Sequence, residues 1–146
     1  MRAKTIKIPK IKTNRQKRLA LMREADRLFS LFIRQKAADH AGYVKCITCG
    51  RTMHWRNAQA GHCIVRTKLA VRYDERNVHP QCKHCNHFKE GDHFRYGTIL
   101  DQLYGPGTAQ SLIDIGNCRG KYPAPWFLDI IEETKKKLGE MKGVSA

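Results

Sequence analysis

The stretch that decides the fold covers residues 46–89 and reads CITCGRTMHWRNAQAGHCIVRTKLAVRYDERNVHPQCKHCNHFK. A Cys-x-x-Cys pair stands near each end of it. Structural zinc is held tetrahedrally by four such ligands, and each pair presents two thiolates from one turn. The sequence therefore predicts a structural Zn²⁺ site formed by Cys46, Cys49, Cys82 and Cys85.

The six cysteines alone would also fit disulfides. However, the N-terminus MRAKTIKIPK lacks the apolar segment of a secretory signal. No apolar run approaches the roughly 18 residues of a membrane span. In a reducing compartment, paired Cys-x-x-Cys motifs indicate metal binding. We therefore expect a cytoplasmic protein with no membrane partner, in which Cys63 and Cys118 are ordinary small residues.

The chain is strongly basic. Over 146 residues it carries 28 Lys and Arg against 13 Asp and Glu, a formal charge of +15 and a pI of about 9.9. This excess is more than solubility needs, and it indicates a polyanionic partner, most simply nucleic acid. The length predicts one domain with a modest core.

Apolar periodicity and chain breaks divide the sequence into four regions. Residues 1–14 form a basic arm that we expect to be flexible. Residues 15–41 contain a long amphipathic helix, predicted over 14–38 with Asn14 as its N-cap. Residues 42–97 form the zinc core, and residues 98–146 are helical with breaks at 105–107 and 123–125. Part of the first helix's apolar stripe could pack on a second copy, which suggests a homodimer.

A histidine and two asparagines accompany the cysteine pairs. His62 falls on a short strand predicted over residues 61–65, Asn77 lies in a later loop, and Asn86 follows Cys85 directly. A neutral histidine can take a proton from water, and a divalent cation stabilises a leaving oxyanion. Mg²⁺ accepts an amide oxygen beside water and phosphate oxygens, while the Asn77 amide can bridge backbone groups and hold the His62 strand. Each residue alone is as readily a surface, packing or capping residue, but their order favours phosphodiester hydrolysis.

The motifs CITCG, AGH, RYDERNVHPQC and CNHFKEG resemble those of the HNH (ββα-metal) nucleases, specifically the zinc-bearing kind related to phage endonuclease VII. More narrowly, they resemble the lambdoid phage NinG/Rap family over about residues 45–97. The resemblance implies an α+β fold with a zinc-stapled ββα-metal (HNH) core flanked by helices. It also implies a phage or prophage endonuclease that cuts branched DNA, such as Holliday junctions and D-loops, and leaves 5′-phosphate and 3′-hydroxyl ends.

Residue by residue, the resemblance implies that His62 is the general base and that Asn77 is the middle asparagine of the motif. Asn86 would bind a catalytic Mg²⁺ or Mn²⁺. Many HNH nucleases carry a second metal ligand directly before the base, where this chain has Gly61.

The residues that could replace that ligand are Gln59, Glu75, His79 and His87. Glu75 ranks first because an anionic oxygen suits Mg²⁺. Pairing of Glu75 with Arg72 or Arg76 is an equally good interpretation.

Basic residues near the reacting phosphate are expected to contact DNA, namely Arg51, Arg56, Arg66, Lys68, Arg72 and Lys89. Trp55 and Tyr73 lie among them and either stack on exposed bases or pack in the core. No segment resembles a base-reading helix, so we expect recognition of shape and backbone. A recombinase partner is a further expectation. Two other functions fit the sequence: a non-catalytic zinc-ribbon DNA-binding protein, and an HNH nicking or restriction-type nuclease acting on ordinary duplex.

Overall fold

The computed structural model describes residues 13–143. In chain order these form α1 (Asn14–Lys36), β1 (Tyr43–Lys45), β2 (Thr52–His54), β3 (Gln59–His62), α2 (Leu69–Arg72), β4 (Val78–Gln81), a π-helical turn (His84–Phe88), α3 (His93–Tyr104), α4 (Thr108–Asn117) and α5 (Ala124–Gly143). Helices and two small sheets together confirm the predicted α+β class. The predicted basic arm lies almost entirely outside the described residues.

Thr13 caps the first helix. Its Oγ1 accepts a hydrogen bond from the Gln16 N–H at 3.2 Å, and the Gln16 side chain accepts from the Thr13 N–H at 2.9 Å. This reciprocal capping box satisfies two N–H groups that a helix start would otherwise leave unpaired. The prediction of Asn14 as the cap was wrong by one residue, because it is Thr13 that has a glutamine three positions later.

α1 packs along α5 to form the main core. Its buried members are Ala25, Leu28, Phe29, Phe32 and Ile33 of α1, Phe127, Ile131 and Leu138 of α5, and Val78 of β4. Burial of such side chains contributes roughly 2 kcal/mol each. The apolar stripe of α1 is therefore covered within the chain, and the length of this helix gives no support to the expected homodimer.

β3 and β4 form an antiparallel ribbon in which Gln59 lies opposite Gln81 and His62 lies opposite Val78. The predicted bounds of the strand, residues 61–65, were wrong, because β3 covers Gln59–His62. After that residue the backbone of Ile64 hydrogen-bonds to the Asn77 side chain instead of to a strand. β1 and β2 make a second antiparallel pair.

A second, smaller core joins α2, α3 and α4 to the loop after β3. It contains Cys63, Val71, Tyr96, Leu100 and Leu112. Burial raises the pKa of Cys63 to about 11, so this thiol stays protonated and acts as a packing residue. None of the helices in residues 13–143 is long and apolar enough to cross a membrane.

Candidate active site and metal centre

The four predicted zinc ligands come together. The sulfur atoms of Cys46, Cys49, Cys82 and Cys85 all lie within 4.8 Å of one another. Gly50 follows the first cysteine turn with a φ of +73°, a conformation that glycine adopts without steric cost. Four thiols so close together could bind one tetrahedral zinc ion.

Hydrogen bonding within this cluster prepares one thiol for ionisation. Burial opposes ionisation of Cys46, but bonds from the Thr48 hydroxyl and from backbone N–H groups lower its pKa to about 6. Burial raises the pKa of Cys85 to about 12. A thiol of that kind loses its proton when a metal ion supplies the compensating charge.

His62 is held in a defined orientation at the end of β3. Its Nε2 atom lies 3.0 Å from the carbonyl oxygen of Arg72. A carbonyl can only accept, so Nε2 carries the hydrogen and Nδ1 keeps its lone pair. Burial lowers the pKa of His62 to about 4, and the nearby charges of Arg66 and Arg72 act in the same direction. The imidazole is therefore neutral at pH 7 and can accept a proton.

A cavity of about 390 Å³ lies between α1 and β3, beside His62. Four arginines line it, Arg23, Arg27, Arg66 and Arg72, together with Asp26. With His62 neutral, the lining has a formal excess of positive charge. The cavity is thus suited to an anion.

Asp26 organises one wall of this cavity. Its carboxylate accepts hydrogen bonds from Arg72 at 2.6 and 2.8 Å, from Arg66 at 2.9 Å and from the Tyr73 hydroxyl at 2.9 Å. Burial opposes ionisation, yet these bonds leave the pKa of Asp26 lowered, so it is a carboxylate at pH 7. Arg72 is itself buried. The guanidinium of Arg72, predicted to contact DNA, is instead committed to Asp26.

Asn77 holds the loop that joins β3 to β4. Its side chain is fully buried; it accepts from the Ile64 N–H at 2.7 Å and donates to the carbonyls of Ile64 and Val71 at 3.0 and 2.9 Å. These bonds fix the segment that ends at Arg72. Asn77 therefore bridges backbone groups and stabilises the carbonyl that orients His62.

Asn86 contacts the first residue of β3. Its Nδ2 donates to Oε1 of Gln59 at 2.8 Å. Gln81, the residue opposite Gln59, is fully buried, and its Oε1 has no hydrogen-bond partner among residues 13–143. The amide side chains of Asn86 and Gln59 thus meet at this end of the ribbon, and the Gln81 side chain is buried on the opposite strand, where it donates to Thr48 and Gly91.

The close approach of Gln81 also explains Gly61. A β-carbon at Gly61 would collide with the Gln81 side chain. A side chain directly before His62 therefore does not fit beside Gln81, so this position cannot supply a metal ligand.

The other candidates for a second metal ligand lie elsewhere. Glu75 pairs with Lys36 and, at 2.8 Å, with Lys137, and not with the predicted arginines. It lines a larger cavity of about 830 Å³ between α1 and α5 that does not include Asn86. His79 is bound through both ring nitrogens to the hydroxyls of Tyr96 and Tyr104.

His87 is exposed and packs against Phe88. Of the four candidates, Gln59 is the one whose side chain meets Asn86.

His62 and Asn86 do not share one pocket. Side chains alternate along a strand, so Gln59 and His62 point to opposite faces of β3. Ala60, on the His62 face, packs against the α1 core, and Asn86 is not among the residues that line the His62 cavity. The two groups approach β3 from its two sides.

The remaining predicted DNA contacts have varied surroundings. Arg51 and Lys89 are exposed, and their side chains make no hydrogen bond or ion pair within residues 13–143. Arg56 lies over the ring of Trp55, and Lys68 donates to Asn117 at 2.7 Å. Tyr73 packs against Phe29, Trp126 and Phe127, so it is a core residue rather than a base-stacking one.

A family model described as "Bacteriophage Lambda NinG protein" matches residues 2–143. The chain belongs to the NinG family. It is 36% identical over 124 residues to protein ninG of Salmonella phage P22, and equally so to that of Escherichia phage lambda, covering 83% of this chain and 57% of each relative. Protein ninG of Escherichia phage 933W is 37% identical over 87 residues, covering 58% of this chain and 40% of the relative. This NinG-family chain thus spans less than two thirds of these relatives, and no solved structure matches it.

The NinG part of the predicted resemblance is therefore confirmed. Sequence reasoning gave no individual role to Asp26, Gln81 or Arg23. Its place among the basic residues of the first helix, where Glu24 is the other acid, was the one signal for Asp26. Gln81 carries no local signal, because its burial depends on how β4 meets the cysteine cluster.

Proposed function

We propose that this NinG-family chain is a metal-dependent endodeoxyribonuclease in which His62 activates water to attack a DNA phosphodiester. The observation that carries the proposal is the buried, neutral imidazole, held by the Arg72 carbonyl beside an arginine-lined cavity. A positioned imidazole that is unprotonated and has a free lone pair can take a proton from water at neutral pH. Guanidinium groups bind phosphate oxygens through paired hydrogen bonds.

We further propose that β3, β4 and the helical segment after Cys85 form the ββα-metal unit of an HNH nuclease. The antiparallel ribbon, the Asn77 bonds and the cysteine cluster support this assignment. In the proposal, Cys46, Cys49, Cys82 and Cys85 bind the structural zinc that joins the two ends of the unit.

Gln59 and Asn86 are the proposed ligands of the catalytic Mg²⁺ or Mn²⁺. Their side chains already meet, and the buried oxygen of Gln81 lies on the same strand pair without a partner in residues 13–143. Neutral amide oxygens suit a hard cation but hold it weakly, so phosphate and water oxygens must complete the site. When bound, the ion would stabilise the negative charge that develops on the leaving 3′ oxygen.

The placement of His62 and Asn86 about β3 fits this chemistry. In-line displacement puts the attacking water and the leaving oxygen on opposite sides of phosphorus. A scissile phosphate at the edge of β3 would meet His62 from one face and the Gln59–Asn86 pair from the other. The three residue steps from Gln59 to His62 span about 10 Å, the scale of a phosphate with its two flanking groups.

Branched DNA is the proposed substrate, as the NinG/Rap resemblance implies, in the cytoplasm of a bacterial host. A four-way junction has two strands to cut, which favours paired sites in a homodimer. A recombinase partner belongs to the same proposal.

Cleavage assays of the zinc-loaded protein on a four-way junction, a D-loop and a linear duplex, each with and without added Mg²⁺, test the function. We expect Mg²⁺-dependent cutting of the branched substrates, and His62→Ala should abolish it while junction binding is retained. His40→Ala, at an exposed histidine, is the control and should cut normally. Binding without cleavage by the wild type would favour the zinc-ribbon alternative, and equal cutting of linear duplex would favour the nicking or restriction-type nuclease.

A further inference from the structure

Arg23 differs from the other arginines of the His62 cavity in having no partner. Arg72 is bound by Asp26 through two nitrogens, and Arg66 is bound by the same carboxylate. Arg27 pairs with Glu24 at 2.7 and 2.8 Å. Arg23 is exposed, and its side chain makes no hydrogen bond or ion pair with any of residues 13–143. Its guanidinium is free to bind a ligand.

The position of Arg23 on α1 directs it towards the same cavity. Residues three and four apart on a helix share a face, so Arg23 lies above Asp26 and Arg27. All three line the cavity with His62. Four arginines against one aspartate give the lining a formal excess of three positive charges. That excess already includes the negative charge of Asp26, and it remains for an anion.

We propose that this cavity is the phosphate-binding site for the DNA backbone and that Arg23 is its principal ligand. The proposal rests on the nuclease function above and extends it, because it makes α1 part of the active site. A guanidinium binds phosphate through two parallel N–H···O bonds. Asp26 holds the side chains of Arg72 and Arg66 in the cavity lining. Arg23 has no such bond, so its side chain can bind the phosphate while the other two arginines stay in place. The cavity volume of about 390 Å³ is within the range of pockets that hold small ligands.

Binding of a labelled four-way junction to the zinc-loaded protein without added Mg²⁺, over a series of salt concentrations, tests the proposal without requiring cleavage. Arg23→Ala should weaken binding by about tenfold, the loss expected for a charged hydrogen-bonded contact. It should also reduce the salt dependence by about one phosphate contact. Arg23→Lys should restore part of the affinity, since it keeps the charge and loses the paired geometry.

Arg15→Ala is the matched control, because Arg15 is an exposed arginine on the same helix and lies outside the cavity. A second measurement locates the effect. At a junction concentration near the wild-type Kd and without added Mg²⁺, the ring signals of His62 should shift equally in the wild type and in Arg15→Ala, and should shift much less in Arg23→Ala.

Three outcomes separate the ideas. If Arg23→Ala and Arg15→Ala bind alike and both shift His62, the phosphate site is overturned. If His62→Ala still cuts DNA while Arg23→Ala shows the expected losses, the phosphate site stands and the general base is wrongly assigned. If His62→Ala is inactive and Arg23→Ala cuts and binds as the wild type, the nuclease function stands and the role of Arg23 fails.

Discussion

The carboxylate of Asp26 binds the guanidinium of Arg72 through two hydrogen bonds, Oδ1 to Nε at 2.8 Å and Oδ2 to Nη2 at 2.6 Å. The carbonyl oxygen of the same arginine accepts the Nε2 hydrogen of His62 at 3.0 Å. A residue of the first helix therefore anchors the residue that orients the proposed base. The helix, which the sequence treated as a flank, is connected to the centre of the site.

Substitution of Asp26 by Asn should destabilise the fold. It removes one charge of a largely buried pair and leaves Arg72 uncompensated, so we expect the free energy of unfolding to fall by about 3 kcal/mol. Denaturant unfolding measures this change. Glu24→Gln breaks a solvent-exposed ion pair on the same helix and should leave the free energy of unfolding close to that of the wild type. If the two variants lost the same free energy of unfolding, the Asp26–Arg72 pair would not stabilise the fold more than an exposed pair does.

Catalysis should remain active well below the usual titration range of histidine. Burial lowers the pKa of His62 from 6.5 to about 4, so the folded protein binds this proton at a lower pH than the unfolded chain does. The contribution of His62 to stability is therefore full above pH 6.5 and is lost as pH falls through 4. An NMR titration of the His62 ring should give a midpoint near 4, and the acid limb of kcat/KM should follow it. A midpoint at 6.5 would mean that the ring is solvated.

Zinc should be required for the native fold. The four thiols are the one group of three or more potential metal ligands clustered within residues 13–143, and binding free energy at such sites, on the order of 10 kcal/mol, becomes folding free energy. We expect elemental analysis to find one zinc per chain, and Cys82→Ser to be unfolded or insoluble. Cys118→Ser, at an exposed cysteine outside the cluster, should keep its zinc. A soluble, zinc-free and active Cys82→Ser protein would refute the structural role.

Gln59, rather than Glu75, should set the demand for the catalytic metal. Gln59→Ala removes an amide that meets Asn86, so the Mg²⁺ concentration for half-maximal cleavage should rise by about tenfold or more. Glu75→Gln loosens contacts with Lys36 and Lys137 and should lower stability without changing the metal requirement. If Glu75→Gln raised the Mg²⁺ requirement and Gln59→Ala did not, Glu75 would be the metal ligand. Titration of cleavage rate with Mg²⁺ separates the two.

The sequence by itself determined the local features of this protein. The spacing of Cys46, Cys49, Cys82 and Cys85 predicted the cluster, since each pair is brought together by its own turn. Three-to-four periodicity predicted α1 and α5, and the breaks at residues 105–107 and 123–125 separated the later helices. The residues of the CITCG-to-CNHFKEG stretch were enough to indicate the NinG family, which the family model confirms.

Only the tertiary structure decided which distant residues meet. Asp26 reaches Arg72, 46 residues away, because α1 packs over β3, and Gln59 reaches Asn86 across 27 residues because the ribbon meets the cysteine turn. The strand period placed His62 and Gln59 on opposite faces, a result that depends on where β3 begins and ends. Such contacts arise from the packing of whole elements, and neither composition nor local spacing encodes which element faces which.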